Sequence, residues 1–216
     1  MGWLWNDIHD MFDEDDGSFP EICICGLTAA EVIAGYRLIR EKARFMVGGP
    51  RFFNLEAGQE MEIDAVECAA TLVCRQKAHP FHFMVRDLAF GSGKVHEIGV
   101  FILDNAIAID YEKGRAWGEL QIETLLLLIN RLKETSAKAF IRLEDAVSPK
   151  DRDRLEAALK RLASPHPTTD ASPQMFHGLS SANTGANSLA FFLKVSFRRP
   201  RRAGCRDSKV RFRSRA

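Results

Sequence analysis

The chain has 216 residues, 46% of them hydrophobic and 27% charged, with a formal net charge of +1. That length and composition are ordinary for a globular protein and support one sizeable domain with its own core, and the few, odd-numbered cysteines tell against a disulfide scaffold. The near-neutral total conceals a division: residues 1–190 hold 20 basic and 28 acidic side chains, whereas residues 191–216 hold ten basic ones against Asp207 alone.

Residues 3–13 place Leu4, Ile8, Met11 and Phe12 on one side of a short amphipathic helix, which the acidic run Asp13, Glu14, Asp15, Asp16 and then Gly17 ends. Residues 21–26 read as a strand with Ile22 and Ile24 on one face and Cys23 and Cys25 on the other. Apolar groups on both faces predict a central place in a sheet. Thr28-Ala-Ala-Glu31 matches a capping box, with threonine satisfying an orphan amide and glutamate reaching back, and the apolar spacing continues as a helix over 29–43. Residues 45–47 and 51–55 flank Gly48-Gly49-Pro50 and predict a small hairpin or edge segment.

Asp64-Ala-Val-Glu67 repeats the capping signature and predicts a helix to about residue 78, with Val66, Ala69, Ala70 and Val73 inward and Pro80 as its stop. Residues 81–88 read as a strand. Residues 98–103 and 106–111 read as two strands joined by Asp104-Asn105, a tight hairpin. The longest expected helix spans 117–134, and a strand follows over 138–143. Ser148 then caps a last helix, with Pro149 at its first position. From residue 164 the composition turns to Ser, Thr, Pro, Asn and Gly without periodicity. The expected organisation is a single domain over 1–163, a flexible linker over 164–188 and a disordered basic tail over 189–216. The expected fold class is α+β: two layers, a mostly antiparallel sheet with helices packed on it.

The candidate chemistry is sparse. Cys23 and Cys25 put two sulfurs on one strand face, where they could share a soft metal, or stand as buried apolar thiols, which is the reading adopted. His79 and His82 have a zinc-compatible spacing, but Pro80 breaks a helix between them. Asp104, Asp110, Glu112, Glu144 and Asp145 could meet at strand ends as paired carboxylates. Gly91-Ser92-Gly93-Lys94 lacks phosphate-loop spacing, and Cys68 and Cys74 have no matched histidine. No metal, cofactor or catalytic set is assigned. Five cysteines without a C-x-x-C, no basic leader and no apolar run near about 20 residues predict an intracellular, cytoplasmic protein without a membrane span.

Two surfaces remain. Asp13, Glu14, Asp15 and Asp16, with Trp117 between Gly114 and Gly118, are the expected contacts with another protein, a basic one by charge complementarity. A non-catalytic interaction domain of the immunity or inhibitor type fits that profile. The tail residues Arg198, Arg199, Arg201, Arg202, Arg206, Arg211, Arg213 and Arg215, interleaved with Phe197 and Phe212, are the alternative: a nucleic-acid contact through phosphates. The tail could also meet an anionic membrane surface, or carry no selected function. An enzyme with an unrecognised site is the third class.

Overall fold

A computed structural model describes residues 2–143 and 147–164. The described residues all fall within the unit Met1–Thr168. The expectations placed on the linker, beyond Ser164, and on the basic tail lie outside the described residues, as do those on Glu144 and Asp145.

The strands are β1 (Glu21–Cys25), β2 (Phe45–Val47), β3 (Arg51–Asn54), β4 (Gln59–Glu62), β5 (Phe81–Phe90), β6 (Gly93–Ile102), β7 (Ala106–Asp110) and β8 (Phe140–Leu143). Six of them form one sheet in the order β2-β5-β6-β7-β1-β8, with every neighbouring pair antiparallel. The helices are α1 (Trp3–Ile8), α2 (Ala29–Lys42), α3 (Ala69–Cys74), α4 (Glu119–Glu134) and α5 (Pro149–Ala163). The fold is the expected α+β arrangement of helices on an antiparallel sheet.

Period-two alternation decides which face is covered. Ile22 and Ile24 of β1, Ile107 and Ile109 of β7, and Val100 and Ile102 of β6 join Leu125, Leu126 and Ile129 of α4 in one continuous core. The opposite face carries a separate, smaller apolar cluster of Cys23, Ala106 and Ala108, with Cys25, Phe101 and Leu103 against it.

Local chemistry sets the ends of the elements. At α2 the Thr28 N–H donates to Glu31 Oε2 at 2.7 Å and the Glu31 N–H to Thr28 Oγ1 at 3.4 Å, a complete capping box. At α5 the Asp151 N–H donates to Ser148 Oγ at 3.1 Å. Between α4 and α5 the buried Asn130 Nδ2 donates to the Leu159 carbonyl at 2.8 Å, which satisfies both groups away from water. Asp104 and Asn105 form the expected two-residue turn, closed by a 3.0 Å bond from the Leu103 N–H to the Ala106 carbonyl.

Three local expectations are corrected. The segments at 45–47 and 51–55 do not pair with each other. Instead β2 is the sheet edge on β5, and β3 pairs with β4 in a separate ribbon. The helix expected from 64 to 78 is only Ala69–Cys74, because Asp64 sits in a 3-10 turn, Val66 is extended at φ −130°, and Gln76 at φ 57° ends the segment. Strand β6 begins at Gly93, five residues earlier than the apolar run implies.

Candidate functional site

The acidic run leaves the 3-10 turn that follows α1 and passes over Lys113, whose side chain is only 10% exposed. Its Nζ donates to Asp16 Oδ2 at 2.8 Å and stands 3.7 Å from Glu14 Oε2. Asp16 also accepts from the Ser18 N–H at 2.9 Å. The Lys113 bond first, and then those from Ser18, hold the Asp16 carboxyl far below the usual range. Asp13 and Asp15 make no ion pair with a described residue, so the loop keeps uncompensated negative charge.

Below this loop is a cleft of about 410 Å³. Asp10, Glu14, Asp16, Glu21 and Asp151 contribute carboxylates to its wall, and Ile22, Tyr111 and Leu155 its apolar part. Phe19 also lines it while remaining 57% exposed. Tyr111 is buried, its hydroxyl donating to the Met11 carbonyl at 3.3 Å, and desolvation pushes its phenol above the ordinary value. An acidic wall on an apolar base suits the methylene stem and charged head of a lysine or arginine.

Trp117 lies elsewhere in the packing. It is 7% exposed, its rings face Phe12 at 5.2 Å and Tyr111 at 5.1 Å, and Nε1 donates to the Glu112 carbonyl at 2.8 Å. The indole supports the loop from inside and presents little surface to a partner. The tail arginines from Arg198 to Arg215 lie outside the described residues.

The remaining sequence candidates separate. His79, in the loop before β5, faces Phe53 at 5.5 Å, whereas His82 lies on β5 with its ring tilted against Phe101 at 4.2 Å. Asp104 and Asp110 flank the two ends of β7. Among the described residues no group of three or more His, Cys, Asp or Glu side chains is placed to hold a metal ion.

What sequence reasoning passes over is the row of side chains on the sheet face opposite α4. Register aligns His82, Phe101, Ala108, Cys23 and Arg142 in one row across five strands. In that row Cys23 Sγ is 3.0 Å from Cys25 Sγ and 4.0 Å from Arg142 Nη2. The contact with Cys23 is the main cause that lowers the Cys25 thiol below its ordinary value, with Arg142 aiding, against burial and Glu21. The contact with Cys25 and burial push the Cys23 thiol up. The signal was present in the strict alternation of β1 and β7. The arginine, 119 residues distant in sequence, was not visible.

Comparison of the chain with protein-family models, curated proteins and solved structures found no match.

Proposed function

We propose that this is a non-catalytic protein-binding domain that receives a basic partner at the acidic cleft, as an inhibitor or immunity protein neutralising a basic toxin would. The observation that carries the reading is the cleft itself: carboxylates from residues 10–21 and from α5 converge over an apolar base, where Lys113 pairs with Asp16 and Arg154 with Asp10 and Asp151, five acids against two bases. Charge of one sign focused at a concave surface accelerates encounter with an oppositely charged partner and disfavours partners of like charge. Among the described residues no helix is long and apolar enough to cross a membrane, and all four described cysteines are free thiols. Both support placing the protein in the cytoplasm.

The test is capture by the tagged full chain in its native cells, against a chain carrying Asp13→Asn, Glu14→Gln, Asp15→Asn and Asp16→Asn. A basic protein that co-purifies with the first, is released by salt and is lost from the second supports the reading. Equal capture by both chains overturns it. Recovery of nucleic acid alone, abolished when the eight tail arginines become glutamine, moves the function to the tail instead.

A further inference from the structure

The two thiols on β1 support a second site, independent of whatever binds at the acidic cleft. We propose that Cys23 and Cys25 form a reactive dithiol, with Cys25 the attacking sulfur and Cys23 the resolving one, which low-molecular-weight disulfides convert to a disulfide within the strand.

Strand β1 is held on both flanks. Cys23 sits opposite Ala108 and Arg142, and Cys25 opposite Ala106 and Phe140. This pairing fixes both sulfurs on the sheet face opposite α4, 3.0 Å apart. They need to close by about 1 Å to reach bonding distance. Residues two apart on a strand have Cα atoms separated by roughly 6.6–6.8 Å, the upper end of what a disulfide spans. The bond therefore closes under strain and is readily reduced again, as befits a labile disulfide and not a structural one.

Exposure divides the roles. Cys25 is half-buried and can be reached from solvent, whereas Cys23 is 3% exposed and is reached through Cys25. Charge agrees with that division. Arg142 from β8 favours a thiolate here and Glu21 on β1 opposes it, while β7 presents Ala106 and Ala108 opposite the two sulfurs and Asp110, paired with His82, opposite Glu21. Burial and Asp104 instead raise the thiol of Cys74, which has similar exposure, so it serves as an internal comparator.

The chemistry balances. The Cys25 thiolate attacks one sulfur of a disulfide RSSR; that S–S bond breaks, and RS⁻ leaves and takes a proton from water. Cys23 gives its proton to solvent and attacks Cys25 Sγ, expelling the second RS⁻, which is protonated in turn. Two electrons pass from the protein to RSSR, which departs as two thiols.

The experiment exposes the reduced full chain to oxidised glutathione at neutral pH, quenches with iodoacetamide and maps the peptides by mass. The peptide bearing both residues should lose two hydrogens and escape alkylation while Cys68 and Cys74 are alkylated. Cys23→Ser should stop at a glutathione adduct on Cys25, and Cys25→Ser should leave Cys23 reduced. Without oxidant, Cys25 should be alkylated faster than Cys74, as its larger thiolate fraction dictates. Equal rates for Cys25 and Cys74 overturn the proposal. So does glutathione that remains on Cys25 of the native chain with Cys23 free, or a bond to any other cysteine. The native chain alone supplies these readings if a serine variant does not fold. Failure of the acidic cleft to bind a partner leaves every one of these outcomes unchanged.

Discussion

His82 Nε2 lies 3.0 Å from Asp110 Oδ2, and the two side chains meet over the bare backbone of Gly99. Gly99 is the residue of β6 between Met84 on β5 and Asp110 on β7, so the pair spans the whole width of a strand. A Cβ at Gly99 would fall 2.0 Å from Asp110 Oδ1 and 2.3 Å from His82 Nε2. Space, not backbone freedom, requires glycine here. The imidazole is further fixed by its contact with Phe101, although Nε2 is not aligned for a hydrogen bond.

Gly99→Ala should therefore force the pair apart and destabilise the domain by about 1–3 kcal/mol, the usual range for overpacking. The measurement is the urea midpoint at unchanged slope. Adding Asp110→Ala removes the closest clash and should restore much of the loss. A Gly99→Ala chain as stable as the native one would show that the pair swings aside without cost.

The two capping signatures make a sharper comparison. Thr28→Ala removes a box that exists and should cost about 1 kcal/mol. Asp64→Ala removes a signature with the same spacing that caps no helix. Its carboxylate binds Arg40 instead, with the Asp64 side chain 62% exposed, so the loss should stay below about 1 kcal/mol. Thermal melts of the two variants side by side decide this, and equal losses would count against the 3-10 geometry at Asp64.

That contrast explains what could be read from the sequence. The sheet-and-helix class, α2, α4, α5 and the hairpin at Asp104-Asn105 follow from local periodicity and cap chemistry, both of which the structure keeps. The helix at 64–78 fails because Arg40, on a different helix, takes the Asp64 side chain, a tertiary competitor that no local pattern contains. Strand β4 is Gln-Glu-Met-Glu, with only Met61 half-buried, so it offers no alternation to detect. The first half of β6 is out of phase: Asp87 has φ 55°, and the buried positions shift from Val85 and Ile98 to Leu88 and Val95. At the site, the acidic loop was visible as charge. The cleft was not, because Lys113 lies 97 residues from Asp16.

The role of Trp117 separates support from contact. Trp117→Phe keeps most of the packing against Phe12 and Tyr111 and loses the bond to the Glu112 carbonyl, at a cost of about 1–3 kcal/mol. Trp117→Ala leaves a cavity in the aromatic cluster and should cost about 3–5 kcal/mol. If the indole acts only from inside, Trp117→Phe binds any partner of the acidic cleft with unchanged affinity once folded. A tenfold loss of affinity in a fully folded Trp117→Phe chain would return the residue to the interface.

Arg154 ties α5 to the segment that begins the acidic loop, and its contribution should depend on pH in two parts. Nη2 donates to Asp10 Oδ1 at 2.6 Å, Nη1 to Asp10 Oδ2 at 3.0 Å and to Asp151 Oδ1 at 2.9 Å, and Nε to the Asp7 carbonyl at 2.8 Å. The bond from Arg154 is the main cause of the lowered Asp10 carboxyl pKa, with burial opposing it. A carboxyl lowered in the folded state contributes stability above its unfolded value, near 3.8, and loses it as pH falls through the lower folded value. Asp10 is 51% exposed, so solvent screening keeps the ionic share small. Arg154→Met retains the apolar stem and should cost about 1 kcal/mol at neutral pH. At about pH 3 and below the gap between variant and native should narrow as Asp10 protonates. It should not close, because the Asp7 carbonyl cannot titrate and still loses its donor. Urea unfolding of both chains across that range reads the two parts separately. A gap that is constant with pH would assign the whole effect to the Asp7 carbonyl, and one that vanishes would assign it to the carboxylates.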